Sequence, residues 1–270
     1  MSGLTATERL SLIHEKGRPT VKDYIPALFS NFLECHGDRH FGDDAAMIGG
    51  IGMFSGTPVT VIGHVKGRNL DENKRCNFAM PNPEGYRKAL RLAKQAEKFH
   101  RPVICFVDTP GAFAGIDAEK RGQGEAIARN LMEFMTLKTP IVSIVLGEGG
   151  SGGALALAVC DELAMLENAV YSVISPRGFA SILWKDASRE SEAAELMKIT
   201  ADDLLRFGIC ERIIDEPDGG AQSDPSLMAE NISDYLSEVI PRLSRSSTDE
   251  LLKRRYEKFR KVGVFAESDI

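Results

Sequence analysis

The sequence predicts an α/β fold, and three observations carry that prediction. A strand-turn-helix unit recurs, first over residues 103–137 and again over residues 141–160; alternation of this kind argues for helices packed on a sheet. The strands of these units, residues 103–107 and 141–146, are apolar at every position but Ser143, the pattern of a sheet covered on both faces. Residues 84–100 place Tyr86, Ala89, Leu90, Ala93, Ala96 and Phe99 three or four apart, which is one apolar stripe along a helix.

The remaining elements follow in order. Residues 1–16 read as a short helix ended by Gly17-Arg18-Pro19. Residues 20–35 read as a second helix, with Ile25, Leu28, Phe29, Phe32 and Leu33 on one face. Residues 38–44 are a loop; residues 45–54 and 59–65 are a strand pair about a Gly-Thr-Pro turn. Residues 66–83 are charged and rich in turn formers, an exposed loop of the length that is functional or mobile in other proteins. Helices are expected over 124–137 and 152–160, short strands over 163–166 and 170–173, helix over 188–207, and a last strand over 212–214. Helices over 226–244 and 249–261 close the chain, the second strongly charged. These elements divide into a helical N-terminal segment over 1–44, a main domain over 45–245 and a charged C-terminal helix over 246–270.

The 270 residues carry a net charge of −6, which argues against a general nucleic-acid or anionic-membrane surface. The five cysteines, Cys35, Cys76, Cys105, Cys160 and Cys210, form no C-x-x-C pair, the usage of a reduced, cytoplasmic protein. Residues 1–10 contain no apolar core of a signal peptide. No apolar run reaches the ~18 residues of a membrane span.

Two glycine-bearing turns follow buried strands: Asp108-Thr109-Pro110-Gly111-Ala112 and Gly147-Glu148-Gly149-Gly150-Ser151-Gly152-Gly153. The second opens a helix. Glycine lets the backbone approach a ligand, and a helix start offers free N–H groups at the positive end of its dipole. Together they suit an anion or the oxyanion of acyl-type transfer chemistry. Other readings fit the same letters. A tight strand-helix packing turn is the plainest. Gly147-x-Gly149-x-x-Gly152, with Glu167 twenty residues on from Gly147, is a dinucleotide fingerprint and would make the chain a nicotinamide-dinucleotide-binding oxidoreductase. Gly149-x-Ser151-x-Gly153 matches a nucleophile elbow, but His14, His36, His40, His64 and His100 all precede Ser151. A hydrolase order of serine, acid, histidine is therefore impossible, and only a His64–Asp108–Ser151 set remains. Ser151 otherwise reads as a small helix-start residue, Asp108 as a turn former, His36 and His40 as loop surface, and Lys66, Arg68 and Arg121 as solvated charges.

Long stretches then resemble one family. Phe106–Ala112, Ala118–Ala128 and Gly147–Ala156 are similar to the alpha subunit of bacterial acetyl-coenzyme A carboxylase carboxyltransferase. So are Gly63–Arg68, Asn77–Leu92 and Tyr171–Pro176, in order between about Thr20 and about Leu243. The resemblance implies a crotonase-type (ClpP/crotonase-like) spiral of repeated ββα units over 45–245. It implies pairing with a beta subunit of similar fold in an α2β2 assembly, with the active site between the two. The beta subunits of that family carry a four-cysteine zinc ribbon; this chain, lacking C-x-x-C, is expected to hold no metal and no cofactor of its own. The implied reaction moves a carboxyl group from carboxybiotin, on the biotin carboxyl carrier protein charged by biotin carboxylase, to acetyl-CoA. Malonyl-CoA, the first committed intermediate of fatty-acid synthesis, is the product. By motif match Gly152 and Gly153 would offer backbone N–H groups to the ureido oxyanion of biotin, with Gly111, Ala112, Gly149 and Gly150 lining the biotin and substrate site.

Overall fold

The computed structural model describes residues 3–263. Helices α1 (Ala6–Ile13) and α2 (Val21–Leu28) lead into strand β1 (Ser30–Glu34), then β2 (Met47–Phe54) and β3 (Thr57–His64). Helices α3 (Leu70–Arg75) and α4 (Pro83–Lys98) precede β4 (Val103–Thr109). Helices α5 (Ile116–Lys120) and α6 (Gln123–Met135) precede β5 (Ile141–Gly150), which runs directly into α7 (Ser151–Ala158). Then come β6 (Glu162–Leu166), β7 (Val170–Ser172), α8 (Pro176–Phe179), α9 (Glu190–Met197), α10 (Ala201–Arg206), β8 (Arg212–Ile214), α11 (Pro225–Ser244) and α12 (Thr248–Arg260).

One sheet runs in the order β1-β2-β3-β4-β5-β6-β8, with β7 added along the end of β5. The pairs β1–β2 and β2–β3 are antiparallel, and every pair from β3 onward is parallel. A parallel sheet needs cover on both faces: every residue of β4 is buried, as are Ile141–Leu146 of β5.

The expected second helix over 20–35 is corrected: it ends at Leu28, and Ser30–Glu34 is an edge strand. Pro26 removes one N–H from that helix, and Phe29 is extended (φ −124°, ψ 121°). The apolar residues that mimic a helical stripe instead cover the sheet. Phe29 packs 6.0 Å from the Phe54 ring and 6.3 Å from Phe106, and Phe32 fills the space beside Gly50. The loop over 66–83 also holds structure: α3 is capped by Asn69, which accepts from the Glu72 N–H at 2.9 Å. The helix over 188–207 is two helices, broken at left-handed Lys198 (φ 54°) and restarted where Thr200 accepts from Asp203.

The segments outside 45–245 belong to the same core. Val21, Tyr24 and Ile25 of α2 and Leu251 of α12 are buried in the main hydrophobic cluster. Arg255 of α12 is fully buried. Its guanidinium donates to the Phe134 and Leu137 carbonyls at 2.7 Å, to Thr139 O at 3.0 Å, and to both carboxylate oxygens of Asp161 at 2.8 and 2.7 Å. Breaking a buried ion pair from one side leaves its partner uncompensated. Arg255→Met should therefore lower the unfolding free energy by about 3–5 kcal/mol, read as a lowered urea midpoint.

Candidate active site

The two glycine-bearing segments meet at the C-terminal ends of β4 and β5. Their register is Val107↔Val145 and then Thr109↔Gly149, so two steps along β4 oppose four along β5. The extra residues bulge, and two of their backbone groups, the Leu146 carbonyl and the Glu148 N–H, have charged side chains as partners. Asp108, 4% exposed, accepts the Glu148 N–H on Oδ1 at 3.0 Å. Arg18 donates to the Leu146 carbonyl at 2.7 Å and is held by Glu216 at 2.6 Å. Burial works against the Arg18 charge, and Glu216 outweighs it, raising the pKa. Beyond the bulge β5 still meets β4 at Gly149 and pairs on its other edge with β7, Glu148↔Val170 through Gly150↔Ser172, before running into α7.

The expected turn over 147–153 is thus corrected: Gly147–Gly150 are strand, and the helix begins at Ser151. Ser151 takes the left-handed conformation (φ 52°). Gly152 and Gly153 are the second and third helical residues, whose N–H groups lack a helical carbonyl partner. Across the cleft, the Gly111 amide is occupied: it donates to Thr109 Oγ1 at 3.1 Å, and that hydroxyl donates back to the Gly111 carbonyl at 2.8 Å. The Ala112 N–H makes no hydrogen bond among the described residues. Among the described residues, Ala112, Gly152 and Gly153 are therefore free donors at this junction.

The glycines differ in what they do. A Cβ on Gly153 would lie 2.6 Å from the Ala112 nitrogen, and one on Gly150 would strike the Pro110 carbonyl; these two let the segments touch. A Cβ on Gly152 would meet only Ile127 Cγ2, at 3.5 Å. Packing does not require glycine there. Gly111, Ala112, Ser151, Gly152, Gly153 and Ile174 line a cleft of about 560 Å³. The loop that supplies Ala112 is braced from the 66–83 segment. Phe113 N–H donates to the Pro81 carbonyl at 3.1 Å, and Gln123 Nε2 donates to Pro81 O and Phe113 O at 2.8 and 2.9 Å. Just before Pro81, Asn77, Phe78 and Ala79 are left-handed in succession (φ 51°, 54°, 60°), a strained turn of the kind stored near functional sites.

Several expected roles change. Lys66 lies 3.3 Å from Asp108, Arg68 pairs with Asp23, and Arg121 pairs with Glu84 at 3.0 Å; none is a free loop charge. His36 is exposed and paired with Asp43 at 2.8 Å. His64 is fully buried, beside the backbone of Phe106 and Gly153 and the Asp108 carboxylate, and neither ring nitrogen makes a well-aligned hydrogen bond. Its ring is bonded to neither Asp108 nor Ser151, so no activated serine is assembled. The dinucleotide pattern also finds no turn. Gly147 and Gly149 lie in β5, where Cβ atoms would come 2.9 Å from Asp108 Oδ1 and 2.7 Å from the Tyr171 ring, leaving no room for a pyrophosphate. Sequence reading missed Arg18 and the bulge that Asp108 fills. The one available signal was a carboxylate closing an otherwise apolar strand, since a buried charge demands a partner.

The comparisons define a carboxyltransferase subunit of the crotonase type. The fold matches that of a transcarboxylase 12S structure (TM-score 0.69, 17% identity, 88% of this chain and 45% of that one). It also matches a Pseudomonas malonate decarboxylase hetero-dimer (TM-score 0.65, 18% identity, 82% and 90%). A family model described as acetyl co-enzyme A carboxylase carboxyltransferase-like matches residues 1–263. The chain is 60% identical to the acetyl-coenzyme A carboxylase carboxyl transferase subunit alpha of Clostridium acetobutylicum, over 98% of this chain and 97% of that one. It is 55% identical to the subunits beta/alpha protein of Clostridium tetani, over 97% of this chain and 46% of that one. The chain belongs to the acetyl-coenzyme A carboxylase carboxyltransferase alpha-subunit family.

Burial pushes the His64 pKa down to about 4, against the opposing pull of Asp108. A depressed folded-state pKa contributes stability that is present above the unfolded value and lost as pH falls. Between pH ~6.5 and ~4 this residue should cost the fold about 3 kcal/mol. His64→Asn should flatten that part of the curve of urea midpoint against pH.

Proposed function

We propose that this chain is the alpha half of a carboxyltransferase that moves a carboxyl group from carboxybiotin, presented on a biotin carboxyl carrier protein, to acetyl-CoA, giving malonyl-CoA. The observation that carries the reading is the meeting of two glycine-bearing segments at a cleft with unspent backbone donors. Transfer to the acetyl methyl passes through an enolate and leaves a ureido anion on biotin, so charge develops on oxygen at both partners. N–H groups fixed before the reaction stabilise such charge without reorganising. Gly152 and Gly153, at the positive end of α7, serve the ureido oxygen, and Ala112 stands beside them. Gly111, Gly149 and Gly150 serve the site as backbone: they close the loop, extend the strand and allow the two segments to touch. His64, beside the Gly153 backbone, is buried, and the proposed chemistry asks for no nucleophile from this chain.

The rest of the active site comes from a beta-type subunit, in an α2β2 assembly that works with a biotin carboxylase. Two features support a missing half. The cleft is open, and an apolar groove lined by Leu155, Tyr171, Val173, Leu204 and Ile209 continues from Ser151 and Gly152. Val173 is 79% exposed, an apolar side chain suited to burial against a partner. The related beta/alpha proteins carry both parts in one chain.

Purified alone, the chain should not carboxylate free biotin from malonyl-CoA, the reverse reaction, and should gain that activity with its beta partner. Full activity of the isolated chain would sink the two-subunit reading. Gly152→Val should lower turnover about a hundredfold or more, the scale of a lost oxyanion donor, because the side chain fills the cleft while the contact at Gly153 stays intact. Pairing, followed by gel filtration, should be unchanged. Wild-type turnover in that variant rules out the oxyanion role.

A further inference from the structure

Nothing in the proposed chemistry assigns a task to Asp108, yet its side chain bonds the root of one donor segment while its backbone leads into the other. We propose that Asp108 is a positioning residue: its carboxylate holds the bulge of β5 that delivers Gly152 and Gly153 to the Pro110–Ala112 loop. The inference rests on the carboxyl-transfer reading of this cleft.

The geometry is specific. Asp108 sits on β4 two residues before Pro110, so its backbone sets where the Ala112 loop begins. Its Oδ1 accepts the Glu148 N–H at 3.0 Å, at the point where β5 slips register against β4 and begins to pair with β7 on its other edge. Only Gly149, Gly150 and Ser151 separate Glu148 from Gly152. One carboxylate therefore ties the root of one donor segment to the root of the other. Lys66 Nζ, 3.3 Å away, holds the same oxygen from the β3 side. The carboxylate is fitted as well as bonded: a Cβ on Gly147 would lie 2.9 Å from Oδ1, so neither group has room to drift. Donors act only when they lie about 2.7–3.1 Å from the developing charge. A displacement of about 1 Å at a distant support costs on the order of 100-fold in rate.

Position and charge can be separated. Asp108→Asn keeps an acceptor oxygen in place and removes the charge. Asp108→Glu keeps the charge and moves the oxygen by a methylene into the tight space beside Gly147. Each variant, assembled with the beta partner, is assayed for malonyl-CoA-dependent carboxylation of free biotin, with rates counted per assembled complex. The expected result is kcat within about tenfold of wild type for Asn and a fall of about a hundredfold for Glu, with KM for malonyl-CoA little changed in either. Should the Glu variant fail to assemble, Gly147→Ala displaces the carboxylate from the other side and is expected to show the same fall in kcat. Glu outperforming Asn would make the role one of charge. Wild-type kcat in both displacement variants, Asp108→Glu and Gly147→Ala, would reduce Asp108 to a prop of the fold. A wild-type complex without transfer activity sinks the functional reading, and this proposal with it; an active wild type with unaffected variants sinks the proposal alone.

Discussion

The site depends on a defect in the sheet. A parallel ladder continued in register would set Thr109 opposite Gly147 rather than Gly149, and would not bring the start of α7 against the Pro110–Ala112 loop. Two additional residues on β5 break the register, and each broken backbone group is a buried polar atom that must be paired. Arg18 takes the carbonyl and Asp108 takes the N–H. The cost of burying those charges is met by Glu216 and Lys66, which come from distant parts of the chain. Bulges of this kind re-aim a strand; here the strand is re-aimed so that the start of a helix faces a neighbouring loop.

With the direction set, small residues set the distance. Gly150 and Gly153 carry no side chain because the opposing loop occupies that space, whereas Gly152 borders open cleft. A run that reads as uniform glycine divides into residues that serve contact and one that leaves room for a ligand. The same division separates the two residues of the opposite loop. Gly111 spends its amide on Thr109 and fixes the loop shape, while Ala112 keeps its amide free.

Much of the architecture was legible in the sequence. The buried strands at 103–107 and 141–146 and the helix over 84–100 are where their patterns put them, because double-sided burial and a helical stripe are local signals. Ser30–Glu34 was not legible as a strand: Phe29, Phe32 and Leu33 fit a helical stripe as well as a sheet edge, and Gly50, the space Phe32 fills, lies far along the chain. The extension of β5 through Gly150 was hidden for a related reason, since glycine carries no strand signal and the pairing partner is the short β7. Of the bulge, only the carboxylate that closes an otherwise apolar strand left a trace. The bulge itself is a relation between Val107–Thr109 and Val145–Gly149, and single-chain periodicity does not register such relations.

Arg255 places a further condition on the molecule, one of order in time. The carbonyl oxygens of Phe134, Leu137 and Thr139 and the carboxylate of Asp161 lie at the end of α6, before β5 and before β6, yet the guanidinium that satisfies them arrives with α12. During synthesis the sheet and the glycine segments emerge well before that helix does. The polar gap that those carbonyl and carboxylate groups form therefore cannot close before α12 has been made.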